Sequence, residues 1–208
     1  MQIRLDGIGK RFHKEWIFRN VNLEFESKGK YAIVGNNGSG KSTLLQVIAS
    51  IGIPTEGAIQ FIDNGLTIEV EELIHFLSFS APYQELPEEL TGNELFDFHF
   101  KFRQKAIDFD SKAFFQMLQL EKQGDKLVKF YSSGMKQRMR LGFCMLTKAE
   151  VYMLDEPTTN LDKNGMAWYQ QLIQNQLIDK LVIISSNIEE EYKFCNTIIK
   201  IEDYKSKK

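Results

Sequence analysis

The run Gly35-Asn36-Asn37-Gly38-Ser39-Gly40-Lys41-Ser42, set directly after the apolar stretch Tyr31–Val34, constrains this chain more than any other feature. It satisfies the spacing G-x-x-x-x-G-K-[ST], and a strand before it with a helix after it is the context in which that pattern wraps a phosphate. Such a loop turns its backbone N–H groups inward, and Gly35, Gly38 and Gly40 reach the required conformations cheaply. The four fixed positions coincide by chance in roughly one chain in a hundred of this length. Lys41 opens a helix, Ser42 to Ile48, whose amino end carries partial positive charge towards the same anion. The loop, with Asn36, Asn37, Ser39 and Thr43, is expected to hold a nucleoside triphosphate. Lys41 would reach the β- and γ-phosphates, and the Ser42 hydroxyl would ligate Mg²⁺.

A second apolar strand, Val151–Leu154, ends in Asp155-Glu156-Pro157, so two acids stand where a buried strand emerges. Ligands of open α/β sheets bind at that carboxyl edge. Adjacent carboxylates on an extended chain point to opposite sides and so do different work. Asp155 is expected to hold Mg²⁺, directly or through water, and Glu156 to face the γ-phosphate and polarise the attacking water.

The rest of the chain frames these sites. Strand-length runs at Tyr31–Val34, Val151–Leu154 and Leu181–Ile184 are each followed by helical character, which predicts a mostly parallel α/β sheet. Strand-like pieces at Ile3–Asp6, Val21–Phe25 and Ala58–Phe61 predict an antiparallel amino-terminal edge. A helical subdomain, about residues 85–145, is expected inside one continuous domain over 1–208. Within it Leu95, Phe98 and Phe102 mark one helical face and Phe114 and Leu118 another, although the alternation Phe96, Phe98, Phe100, Phe102 fits a strand by period alone.

Twenty-six basic and 28 acidic side chains leave a net charge of −2, so no global field would hold the chain to nucleic acid or to an anionic bilayer. The longest stretch free of Asp, Glu, Lys and Arg is Asn164–Ile178, with four Gln and two Asn, short of the ~20 mostly apolar residues of a spanning helix. Arg4 and Asp6 interrupt what would be the apolar core of a signal peptide, and a cytoplasmic chain is expected. Cys144 and Cys195 read as reduced core thiols, and Lys205, Lys207 and Lys208 as a solvated tail.

Tyr131-Ser132-Ser133-Gly134-Met135-Lys136-Gln137-Arg138 resembles the signature of ATP-binding cassette (ABC) ATPases, commonly L-S-G-G-Q-x-Q-R. Thr158-Thr159-Asn160-Leu161-Asp162 looks like the family's D-loop. Phosphate loop, signature, acidic pair and D-loop follow one another in the family's order, and the resemblance covers essentially the whole chain. It implies the ABC ATPase fold, ATP and Mg²⁺ as ligands, and two cassettes head to tail sandwiching two nucleotides. Ser132 and the Gly134 N–H would then bind the γ-phosphate of ATP held by the opposing cassette, as homo- or heterodimer. Upstream, Phe12 stands near the position of the family's adenine-stacking aromatic, with Trp16 as competitor. Met139, Leu141, Phe143 and Met145 are expected in the core, and Arg138 and Arg140 as possible surface cations.

The pattern has departures. Where the family carries a histidine that contacts the γ-phosphate, this chain has Ser185-Ser186-Asn187, and Asn187 donates a hydrogen bond but carries no charge. The family's Mg²⁺-sensing glutamine falls on or near Pro82; Gln84 is the candidate, against a plain loop residue. Ser133 replaces a glycine and Tyr131 a leucine.

The leading expectation is an ATPase subunit that drives transport by a separate transmembrane permease, peripheral on the inner face of the cell membrane. The 91 residues between Lys41 and Ser132 leave no room for the long coiled coil of the DNA-repair members. Glu88-Glu89-Leu90-Thr91-Gly92 resembles exporter cassettes of the ABC-2 kind, and Pro82–Phe102 would be the docking region for the permease. The rival is a soluble nucleotide switch with slow hydrolysis, acting on a protein or nucleic-acid partner. A small-molecule phosphotransferase would leave Tyr131–Arg138 without a purpose.

Overall fold

A computed structural model describes residues 1–205. Along the chain run β1 (Gln2–Phe12), β2 (Glu15–Phe25), β3 (Lys30–Val34), α1 (Lys41–Ile48), β4 (Glu56–Asp63), β5 (Leu66–Thr67) and β6 (Leu77–Ser80). Then follow α2 (Gly92–Phe102), α3 (Ser111–Met117), α4 (Ser133–Leu146), β7 (Val151–Asp155), α5 (Lys163–Gln176), β8 (Leu181–Ser186), α6 (Glu189–Tyr192) and β9 (Thr197–Lys200). The chain divides into two compact units, one of Met1–Phe79, Glu150–Glu156 and the chain from Asp179 onward, the other of Ser80–Ala149 and Pro157–Ile178.

In the first unit a five-stranded sheet has the order β6-β7-β8-β3-β9, with β3 parallel to both β8 and β9 and β7 parallel to β8. Ala32, Ile33, Val151 to Leu154 and Val182 to Ile184 are buried without alternation, as strands covered on both faces require. The second sheet, β2-β1-β4-β5, is antiparallel and buries Ile3, Leu5, Ile8, Phe18, Val21 and Phe25. Both sheets match expectation. Three strands went unread: β5 is two exposed residues, β6 buries Ser78 and Ser80, and β9 exposes Thr197 and Lys200, so none has an apolar run.

The second unit holds α2 to α5. Residues 96–102 are helical, decided by a capping box in which Thr91 and Glu94 satisfy each other's backbone N–H. The buried face of α2 is corrected, however: Leu95 and Phe96 point inward while Phe98 and Phe102 lie in solvent, packed edge to face at 5.4 Å. Phe96, Phe100, Phe109, Phe114 and Phe143 form an aromatic cluster. Met139, Leu141, Phe143 and Met145 are core residues of α4, as expected. Arg138 is no free surface cation: it donates to Leu118 O and Gln119 Oε1 and stacks over Trp168 at 4.7 Å. Cys144 is buried, Cys195 only half-buried, and neither is bridged. Among the described residues no helix is long and apolar enough to cross a membrane. Lys207 and Lys208 of the expected tail lie outside the described residues.

His99 enters the aromatic cluster as a neutral ring. It stacks on Phe143 at 4.4 Å, and its Nε2 lies 2.8 Å from Thr147 Oγ1, which itself donates to Phe143 O. Nε2–H is therefore the donor. Burial, with the nearby Arg103 charge, lowers the imidazole from 6.5 to about 4. The unfolded chain binds that proton first, so stability is complete above pH 6.5 and falls as pH drops towards 4, by up to about 3 kcal/mol. Urea midpoints of the wild type should fall between pH 7 and 5. His99→Phe should remove most of that fall, and an equal fall in the variant would assign it elsewhere.

Candidate functional site

The carboxyl ends of three parallel strands come level in the first unit. Val34 of β3 pairs with Ser186 of β8, and Ser185 of β8 pairs with Asp155 of β7. The phosphate loop leaves the first of these ends, the acidic pair stands on the last, and Asn187 follows the middle one.

The loop is shaped for an anion. Gly40, at φ +106°, is the residue before α1, where an added Cβ would come within 2.4 Å of Ile17. The helix has no side-chain cap and no acid in its first turn, so its first N–H groups are open to a ligand. Asn36, Asn37 and Gly38 form the exposed tip, whereas Ser39 is buried and its hydroxyl has no hydrogen-bond partner. Lys41 is buried at 3 % exposure, with its Nζ 3.2 Å from Asn36 O. A buried ammonium and an orphan hydroxyl beside a row of open N–H groups fit a phosphate chain. Thr43 is half-buried on the first turn of α1.

Ser42 Oγ donates to Asp155 Oδ1 at 2.9 Å. Asp155 is 2 % exposed, and burial pushes its carboxyl up; the Ser185 and Ser42 hydroxyls oppose the rise, Glu156 adds to it and Lys41 counters it. A hydroxyl and a carboxylate, both hard oxygen donors, with further positions left to phosphate oxygens and water, are the donor set that Mg²⁺ accepts. The ion's charge would offset the cost of burying the carboxylate.

Glu156 departs from the expected extended geometry. Its φ is +40°, a left-handed conformation that is strained for a residue with a side chain. The turn is held by its N–H donating to Ser185 O at 2.8 Å. The two acids therefore separate by a backbone reversal, Asp155 buried and Glu156 half-exposed, and not by strand alternation. Asn187 donates from Nδ2 to Asn37 Oδ1 at 3.0 Å, so it reaches the phosphate loop of its own chain. Trp16 already carries the guanidinium groups of Arg19 at 4.5 Å and Arg11 at 5.5 Å. Phe12 is 52 % exposed beneath the Lys10 ammonium, which leaves it the more open aromatic platform.

The second unit carries the other candidates. Ser132 caps α4, its Oγ accepting from Met135 N at 3.2 Å. Gly134 packs on the Asn160 carbonyl, 3.0 Å from where a Cβ would stand, so signature and D-loop are neighbours. Tyr131 in place of leucine is an anchor: it is buried, and its hydroxyl, pushed up to about 12 by burial and by Asp125, donates to Gln123 O at 2.6 Å. Gln84 turns inward, with Oε1 accepting from Ala81 N at 3.0 Å, so use as a metal ligand would break this turn. Arg140 Nε donates to Gln84 O at 2.6 Å and Nη1 to Gln137 Oε1 at 3.1 Å, while the buried Gln137 donates to Pro157 O at 2.7 Å. Arg140, expected as a possible surface cation, is instead half-buried and engaged by these two contacts.

A family model described as "ABC transporter" matches residues 18–159. The uncharacterized ABC transporter ATP-binding protein YcbN of Bacillus subtilis (strain 168) is 29 % identical over 208 residues, covering 97 % of this chain and 66 % of YcbN, just under two thirds of its length. The polysialic acid transport ATP-binding protein KpsT of Escherichia coli is 27 % identical over 204 residues, 95 % of this chain and 86 % of KpsT. The dimeric post-hydrolysis structure of the ATP-binding cassette MJ0796, bound to ADP and Pi, superposes with a TM-score of 0.79 at 22 % identity, over 95 % of this chain and 93 % of that one.

Burying Asp155 has a measurable consequence. Its raised folded value means that the ionised form is disfavoured in the fold at neutral pH. Asp155→Asn retains the acceptor for Ser42 and offers its new N–H₂ to Ser185 Oγ. The metal-free variant should unfold at a higher temperature than the wild type. An unchanged or lower midpoint by scanning calorimetry would contradict the cost assigned to this charge.

Proposed function

The chain belongs to the ABC transporter family of ATPases, and from that premise we propose that it hydrolyses ATP in a head-to-tail dimer and drives a separate transmembrane permease. The observation that carries this reading is the meeting of the phosphate loop, Ser42, Asp155 and Glu156 at one sheet edge. Adenine stacks on Phe12. The phosphates lie along Gly35 to Thr43, with Lys41 turned from Asn36 O to the β- and γ-oxygens. Ser42 and Asp155 would hold Mg²⁺, which when bound neutralises phosphate charge; Gln84 would be free for a ligand only if its turn onto Ala81 opened.

Glu156 orients a water whose oxygen forms a bond to Pγ as the bond from Pγ to the bridging oxygen breaks, giving ADP and inorganic phosphate. The water's proton passes to the carboxylate. Asn187 donates a hydrogen bond towards the γ-phosphate after releasing Asn37, and takes no proton. Ser132 and the Gly134 N–H of a second cassette close the other side of the nucleotide, so the pair opens when the γ-phosphate is lost. Polysialic acid transport by KpsT and the dimer of MJ0796 support this reading by similarity.

The permease docks in the second unit. A groove lined by Glu85, Leu86, Pro87, Glu88, Lys136 and Arg140 is present there, and Phe98 and Phe102 of α2 stand in solvent. An amphipathic cytoplasmic helix of the permease fits such a surface. The neutral Asn187 favours, as second reading, a slow soluble switch. Sedimentation with membranes from the native cell supports the transporter, and a wholly soluble chain supports the switch.

Glu156→Gln should bind ATP normally, lose hydrolysis by about 10²–10³-fold, and run as a dimer in ATP by light scattering. A monomeric variant in ATP would remove the sandwich. Asn187→His should raise single-turnover hydrolysis by roughly tenfold, since an imidazole both donates and carries charge. An unchanged or slower rate would show that Asn187 is not the limiting departure.

A further inference from the structure

The first limb of the phosphate loop is held from outside by a carboxylate that no motif announces. Asn36 N–H donates to Glu202 Oε1 at 3.1 Å. Glu202 lies in the turn after β9, 166 residues along the chain from Asn36. The contact is close on a second count: a Cβ built on Gly35 would stand 2.6 Å from Glu202 Oε1 and 2.8 Å from Oε2. Gly35 itself sits at φ +154°, so the carboxylate packs on the bare face of the loop's first residue. Ile201, fully buried, fixes the turn from beneath. We infer that Glu202 is a positioning residue for ATP hydrolysis, orienting the Gly35–Asn36 peptide and, by its charge, opposing the binding of phosphate.

Orientation is set locally. A peptide next to glycine rotates at little cost, and a reversal here would turn the Gly35 carbonyl to where the N–H now points. The following peptide is already committed, because Asn36 O accepts from Ser39 N at 3.0 Å and from Lys41 Nζ at 3.2 Å. The Asn37 side chain is held by Asn187. Glu202 is thus the partner that keeps the first peptide of the limb in place.

Burial disfavours the Glu202 carboxylate, yet its own N–H, the Asn36 N–H and the charges of Lys205 and Lys41 hold it below the usual carboxylate range. It is therefore ionised at neutral pH, a negative group that shares the field of Lys41 with the incoming phosphates. Orientation and charge separate chemically: a glutamine keeps the acceptor and removes the charge, whereas an alanine removes both.

The inference rests on the ATPase reading, and the experiment tests the two apart. ATP affinity by calorimetry and steady-state kcat would be measured for the wild type, Lys41→Ala, Glu202→Gln and Glu202→Ala, with unfolding midpoints for each. Glu202→Gln should bind ATP about 2–5-fold tighter, with less tightening at high salt, and keep kcat within about twofold. Glu202→Ala should lose about 5–10-fold in kcat at a folded midpoint, the effect of one charge-assisted hydrogen bond. Wild-type affinity and kcat in both variants would overturn the inference, as would identical losses in both. If the wild type bound ATP no better than Lys41→Ala, the ATPase reading itself would fail, and the role given to Glu202 with it.

Discussion

Parallel pairing of β3 with β8 and of β8 with β7 is the constraint on which the site depends. In a parallel sheet every strand ends on the same side, so three segments remote in sequence deliver their loops to one edge. The registers that set Val34 beside Ser186 and Asp155 beside Ser185 bring Lys41 and Ser42, the acidic pair and Asn187 together without any long side chain having to reach. The near-continuous burial of the three strands holds them in the interior of the sheet, covered on both faces.

The edge so assembled is electrostatically unfinished. Lys41 and Asp155 are both almost fully buried, Ser39 has an unmatched hydroxyl, and Glu156 is held at a positive φ. Each of these costs folding free energy, and a polyanion accompanied by a divalent cation would reduce the cost of the buried charges and of the unmatched hydroxyl. Fold stability and ligand fit therefore pull in opposite directions at Asp155.

Most of the phosphate loop was legible because its chemistry is local: glycines, lysine and serine at fixed spacing between a strand and a helix state their role within eight residues. The acidic pair was legible for the same reason, but its geometry was not. Extended alternation was the natural reading of Asp155 and Glu156, and it missed the left-handed turn because the cause, a bond from Glu156 N–H to Ser185 O, comes from another strand. The face of α2 was misread on similar grounds. Its phenylalanines occupy every side of the helix, and only the aromatic cluster supplied by Phe109, Phe114 and Phe143 decides which of them turn inward. Glu202 gave no signal at all, being one acid in a charged carboxyl-terminal segment whose strand has no clear apolar run.

The departures from the family pattern share one chemical theme. At Asn187 an amide stands where an ionisable ring is usual, and its partner in this chain is another amide, Asn37, in the phosphate loop. Neither group changes charge over any accessible pH, so the polar contact across the loop tip is constant. The fold pushes the Asp155 carboxyl up and holds the Glu202 carboxyl below the usual carboxylate range. Lys41 is the cation common to Asp155 and Glu202. A phosphate chain entering the loop would compete with Asp155 and Glu202 for the Lys41 ammonium.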